Sequence, residues 1–257
     1  MTGVTLRAIW TSMRVQWAQT TARAMMRFIL LVSPVVHAAL GAYMLYGRGD
    51  IEYAVVGTAL INLWGAIIWS SGTDLIRERW MGNLEYLLIA PVSLFWSTLG
   101  KNLGNLLLGL GATLISVLCS RFLFGIPVAV ARPGWLALAL LAALFSFLAL
   151  SLSLGSAVIF SRQSVSLMNG MDYPIYLLAG LMFPLDLLPA WTRPLSAALP
   201  LTWARQALST AVQGGPAGRF WAGLLWMVAL GALYALLARW LFRTVERKAR
   251  ERGELYA

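Results

Sequence analysis

The sequence predicts an all-α membrane protein. It would have six transmembrane helices, an N-terminal amphipathic interfacial helix, a cytoplasmic helix after the second span and a re-entrant helical pair between the fifth and sixth. Three observations predict this. Apolar runs cover residues 25–46, 51–73, 94–120, 135–160, 173–189 and 219–242. All but 173–189 reach the ~20 residues a helix needs to cross a ~30 Å hydrocarbon core. With the amino terminus inside, 14 of the 20 Lys and Arg residues fall on the cytoplasmic side and 6 on the other, which places both termini in the cytoplasm. Finally, Trp17, Trp80, Trp96 and Trp240 fall at expected inner boundaries, and Tyr43, Tyr46, Trp135, Trp191, Trp203 and Trp221 at outer ones, where amphipathic rings are best accommodated.

With 60% hydrophobic and 12% charged residues, the chain is expected to be one transmembrane domain over 1–257. That domain divides into an interfacial helix at 4–24, a six-span core at 25–242 and a cytoplasmic tail at 243–257. The net charge of +10 reads as the topology signal plus attraction to anionic inner-leaflet lipid; nucleic acid is not expected as a partner. Cys119, the single cysteine, lies inside the third span, can form no internal disulfide and reads as a small buried hydrophobe. The first apolar run begins some 25 residues in and is longer than a secretory signal's apolar core (~7–15 residues), so it is expected to stay in the membrane.

Residues 4–24 are interrupted by Arg7, Arg14 and Arg23, while Leu6, Ile9, Trp10, Met13 and Trp17 recur at helical spacing. This predicts a helix lying along the inner face, either a passive anchor or a transmitter of motion. The first hairpin turns outside at Gly47-Arg48-Gly49-Asp50. After the second span, Arg77 to Ser93 is charged and then amphipathic. Asn83 can cap a short helix with Leu84, Leu87 and Leu88 on one face, and Pro91 stops it before the third span. Between the fifth and sixth spans the chain is too apolar for a free loop, and prolines cut it at Pro184, Pro189, Pro194 and Pro200. Such backbone is tolerated at membrane depth only when buried in protein or lining a cavity, which predicts a re-entrant pair dipping in from outside. The tail from Arg243 to Glu254 mixes both signs of charge and reads as a solvated helix.

Absences narrow the function. There is no G-x-x-x-x-G-K-[ST] phosphate loop, since Gly100-Lys101 is followed by Asn102 and starts a span. His37 is the sole histidine and builds no metal site or Ser-His dyad alone; it reads as a packed or pore-facing polar residue. No Asp or Glu lies in the middle third of a span, which argues against ion-driven transport. Asn62, Asn102, Asn105 and Asn169 read as interhelical hydrogen-bonding groups. Neither a metal nor a cofactor site can be assigned in this chain. A channel or scaffold, and an intramembrane lipid-modifying enzyme, are the competing classes.

The segment from Arg77 to Ser93 resembles the E-R-x-x-G-T-L-E-x-L-x-x-T-P-V motif of type-2 ABC exporter permeases, which export drugs, lipids or polysaccharides. Glu78, Arg79, Gly82, Leu84, Glu85, Leu87, Pro91 and Val92 match, while Asn83 and Ala90 depart. A second stretch, Gly180 to Pro189 followed by Pro200 to Trp203, resembles the family's G-x-x-F-P-x-x-x-L-P and P-L-T-Y pattern, with Trp203 in place of tyrosine. The resemblance runs the length of the chain and is nearest the drug and lipo-oligosaccharide export branch.

This resemblance implies a transporter of two permease subunits, identical or different, and two copies of a separate ATPase that binds ATP and Mg. The permease would have no nucleotide site of its own and would sit in the cytoplasmic (inner) membrane. It also implies that Glu78, Arg79, Gly82, Leu84, Glu85, Leu87, Leu88 and Pro91 form the coupling helix that docks on the ATPase, with the leucines filling a groove and the charges setting register. Glu78 and Glu85 could instead brace this helix against the N-terminal one. Met182, Phe183, Pro184, Leu185, Pro189, Pro200 and Trp203 would build the outer gate and re-entrant segment.

Overall fold

A computed structural model describes residues 3–44, 51–82, 92–126, 129–158, 164–182 and 184–252, and all regular structure among them is helical. The order is α1 (Gly3–Ala22), α2 (Ala24–Met44), α3 (Ile51–Trp80), α4 (Leu94–Phe122), α5 (Pro133–Val158) and α6 (Ser164–Leu178). Two 3-10 turns follow, Leu185–Leu187 and Ala190–Thr192, and then α7 (Arg193–Ala198), α8 (Pro200–Gln213) and α9 (Ala217–Arg252).

Among the described residues, 4 stretches are long and apolar enough to cross a membrane: Ala24–Tyr43, Leu94–Phe122, Pro133–Ala157 and Ala217–Arg247. The fifth expected span differs. α3 covers the second expected span, 51–73, and runs on to Trp80, with Val55–Ile68 as the apolar stretch among its described side chains. The run expected at 173–189 is crossed by a helix stop: α6 is 15 residues long and ends at Leu178, ahead of Gly180 at φ 67°.

Packing centres on α3. Leu60, Leu63, Trp64, Ile67 and Ile68 are almost fully buried against Ala139, Ala143 and Phe147 of α5, Leu201, Ala204 and Ala207 of α8, and Phe220 and Met227 of α9. The Trp64 and Phe147 rings meet edge to face with centroids 5.8 Å apart. Small residues let backbones touch. A Cβ added at Gly57 would stand 2.3 Å from the Leu181 carbonyl oxygen. In lipid such close approach largely replaces the hydrophobic drive that packs soluble helices.

The prolines of the segment before α9 do what the sequence predicts. Pro194 and Pro200 each sit in the first turn of a short helix, where the missing N–H costs nothing. α8 is buried along one face from Pro200 to Val212. Its end is tied to the connection before α5 by Ala131 N–H to Val212 C=O (3.0 Å) and Arg132 N–H to Ala211 C=O (3.1 Å). The Arg132 guanidinium lies 4.0 Å from the Trp135 ring centroid, and Trp135 stacks on Phe220.

α1, expected to lie along the membrane face as a passive anchor or a transmitter of motion, packs against the protein. It is clamped along α4, where a Cβ at Gly100 would stand 2.4 Å from the Ile9 carbonyl oxygen and one at Gly104 2.8 Å from that of Met13. Leu6, Trp10 and Trp17 remain exposed on its other side. The tail, expected to be solvated, is anchored at its start: Phe242 and Val245 are buried with Leu94 and Leu152.

Candidate functional site

At its C-terminal end, α3 finishes in a turn. The Met81 N–H donates to the Arg77 carbonyl (2.9 Å), and Gly82 takes φ 71°, a left-handed conformation that stops a helix at little cost only in glycine. Leu84, Glu85, Leu87, Leu88 and Pro91 lie outside the described residues, as does the side chain of Arg79. Both flanks of this segment are held. Before it, Glu78 forms an ion pair with Lys101 of α4, and Arg77 Nη2 donates to Gln19 Oε1 of α1 at 3.3 Å. The Glu78 carboxylate thus braces α3 against α4. After the segment, Ser93 caps α4 by accepting from the Phe95 N–H. Glu246 of α9 accepts from the Leu94 N–H at 2.6 Å and the Ser93 hydroxyl at 2.8 Å. A carboxylate at a helix N-terminus faces unpaired N–H groups and the positive end of the helix dipole.

The opposite end carries the second motif. Gly180 ends α6, with the Leu181 N–H donating to the Tyr176 carbonyl at 3.0 Å. Met182 is half-buried against the core, Leu185 is half-buried, and Phe183 lies outside the described residues. Pro184 and Pro189 precede the two 3-10 turns. Pro200 opens α8, and Trp203 Nε1 donates to the Ala197 carbonyl at 2.8 Å while its ring stacks on Trp226. An indole in the tyrosine position therefore pins the α7–α8 turn to α9.

Sequence reasoning missed the third feature, a cavity of about 310 Å³ bounded by α1, α2, α3, α4 and α6. Arg23 and Arg77 stand at one end, and the walls are Met26, Ile29, Leu30, Ile61 and Leu108. Near the arginines, Gln16 Nε2 (3.4 Å) and Thr20 Oγ1 (3.3 Å) both point their donors at Asn105 Oδ1. At the other end His37 Nδ1 lies 2.8 Å from Asn62 Oδ1 and 3.3 Å from the Ser33 hydroxyl. Asn62 Nδ2 already donates to the Thr58 carbonyl, so its Oδ1 is the acceptor and His37 Nδ1 carries the proton. His37, Asn62 and Asn105 were legible as packing groups; the one-turn spacing of Gln16 and Thr20 on α1, with Arg23 just past its end, was the signal that they share a site.

Among the described residues no group of three or more His, Cys, Asp or Glu side chains is placed to hold a metal ion. The ABC-2 type transporter family matches residues 7–212 of the chain. No curated protein gives a significant match.

Proposed function

We propose that this chain, which belongs to the ABC-2 type transporter family, is the permease subunit of an ATP-binding-cassette exporter that moves an amphiphilic or hydrophobic substrate out across the cytoplasmic membrane. Proteins of that family are the membrane components of ABC transporters; they normally work with an ATPase subunit and are not the catalytic subunit themselves. One observation carries the reading: the match runs from α1 through α8, so most of the helical assembly described above, not an isolated motif, supports it. The substrate is a drug, a lipid or a glycolipid, as in the drug and lipo-oligosaccharide export branch. The assembly has two permeases and two ATPases, and ATP and Mg are held by the ATPases. The permease is a single domain with six spans and both termini in the cytoplasm.

The physical support is an argument about energy. With no carboxylate in mid-span and no phosphate loop, the pump must borrow its driving force. The segment between Gly82 and Ser93 is the element that borrows it. Leu84, Leu87 and Leu88 dock in a groove of the ATPase, since a few buried residues carry most interface energy. Glu85 and Arg79 set the register, and Glu78 contributes from its place beside Lys101. Closure of the paired ATPases pushes on this segment and biases the permease pair between inward- and outward-open arrangements. Met182, Phe183 and Leu185 form the apolar outer gate beneath the short helices of the second motif.

The test is Glu85→Lys combined with Leu88→Asp. The variant should insert and purify normally but lose ATPase co-purification, substrate-stimulated ATP hydrolysis and export. Undiminished export would refute the docking assignment. Phe183→Ala should raise basal leak or widen the substrate range; if neither changes, the gate is elsewhere.

A further inference from the structure

The cavity between α1, α2, α3 and α4 has a chemistry that packing alone does not account for. Gln16 is 4% exposed, yet its Oε1 is buried without a hydrogen-bond partner. Leaving such an acceptor unpaired is unfavourable, and a ligand or water that donates to it relieves the cost. The same residue lines the cavity beside Arg23 and Arg77. The polar content is therefore ordered, with two cations and the unpaired Gln16 Oε1 at one end. Beyond them run the apolar walls of Met26, Ile29, Ile61 and Leu108, and the hydrogen-bonded Ser33, His37 and Asn62 close the far end.

We infer that this cavity binds an anionic amphiphile whose polar part carries O–H or N–H donors, the chemistry of a glycerol- or sugar-phosphate headgroup, admitted from the inner leaflet. The two guanidinium groups receive the anion, with the geometric fit to phosphate that arginine has and lysine lacks. Gln16 Oε1 accepts from a neighbouring hydroxyl. The volume of about 310 Å³ is at the low end for ligand pockets, so it holds a headgroup and the first chain carbons, not a whole lipid. Arg23 and Ile29 are exposed, which leaves that side open for a tail to extend into the bilayer. The inner-leaflet side rests on the permease reading above; the binding chemistry does not. Two sources supply this chemistry, a resident membrane lipid and the exported cargo.

Purified full-length chain in phosphatidylcholine nanodiscs is titrated with three dioctanoyl probes, and occupancy is read by native mass spectrometry. Phosphatidylglycerol supplies anion and hydroxyl, phosphatidylmethanol the anion alone, and phosphatidylcholine neither a net charge nor a donor. Phosphatidylmethanol should bind about tenfold tighter than phosphatidylcholine, and phosphatidylglycerol about fivefold tighter again, the size of one charge-assisted and one neutral hydrogen bond. Arg23→Gln should weaken both anionic probes alike and keep their ratio. Gln16→Leu should bring that ratio to about one, the neutral bond being lost. Ile29→Trp, at an exposed wall position that leaves the α1–α4 seam untouched, should block both, so a folding defect in the Gln16 variant leaves the test intact.

Equal binding of all three probes, or selectivity that survives these substitutions, overturns the site. In the complex with the ATPase, release of bound phosphatidylglycerol on ATP addition assigns the occupant as cargo. Retention assigns it as resident lipid, and the site stands either way. Because binding is measured without the ATPase, failure of the docking test above leaves this result untouched, and the reverse also holds.

Discussion

Two parts of the molecule solve the problem of cohesion in lipid differently. Around α3, the helices α5, α8 and α9 pack solid: Trp64, Phe147, Phe220, Leu201 and Met227 are fully buried, and half of the apolar window of α5 (50%) is covered by protein. α2 has only 11% of its window buried, holds to α3 through the His37–Asn62 hydrogen bond, and leaves a cavity behind it. Apolar surface gains little by leaving lipid for protein, so the dry part coheres by dispersion and close backbone approach, and the other by a few polar pairs. Segments with few buried contacts open most readily. The solid part is therefore the frame, and α2 the element that the fewest buried contacts hold in place.

The largest effect follows from the frame. Phe147→Ala removes a ring that is 0% exposed and packed against Trp64, and should cost about 3–5 kcal/mol through the cavity it leaves. Gly57→Ala should cost at least about 2 kcal/mol, because its Cβ would meet the backbone of Leu181 and backbone gives way poorly. Leu30→Ala, in the wall of the existing cavity, should cost less than about 1 kcal/mol, since part of the space it would vacate is already empty. Thermal unfolding in detergent ranks the three. Equal losses for Phe147→Ala and Leu30→Ala would dissolve the distinction between frame and mobile part.

The helices were legible because apolar runs report bilayer thickness, and α2, α4, α5 and α9 fall where those runs put them. The starts and stops were less legible. The run expected at 173–189 straddles Gly180, and composition cannot register a left-handed glycine. Both motifs contain such a glycine, Gly82 and Gly180, and that is the physical content of two positions quoted for resemblance alone. α1 was readable as amphipathic, but its protein-facing side was not: Gln16 contacts α4 while Trp10 and Trp17 stay exposed. The cavity was illegible as a whole, because its polar groups come from separate helices and meet only in three dimensions.

A second prediction separates brace from proposed docking surface at the C-terminal end of α3. Glu78 and Lys101 are each 12% exposed, so removing either partner strands a largely desolvated charge. Glu78→Gln and Lys101→Gln should each cost about 2 kcal/mol, and the double variant should recover about half of the summed loss. Strict additivity would return Glu78 to the docking surface alone. Glu246→Gln comes next, at about 1–2 kcal/mol, since two hydrogen bonds keep an acceptor but lose its charge. Hydrogen exchange at the Leu94 amide should speed up about tenfold, the kinetic form of that loss. An unchanged rate would mean that α9 does not hold the start of α4.

The smallest effect tests the boundary between frame and coupling segment. Gly82 matches the family motif, and its φ of 71° stops α3 immediately before the residues proposed to dock. Ala at this position is strained by about 1 kcal/mol. Asn, which tolerates the left-handed region better, should lose about half as much. If conformation alone matters, ATPase co-purification and export should follow the order Gly, Asn, Ala. If instead Gly82 is needed because the ATPase approaches its backbone closely, Asn should be as damaging as Ala or worse, being the larger of the two. The order of the three variants thus distinguishes a helix stop from a contact, and places the frame's edge on one side of Gly82 or the other.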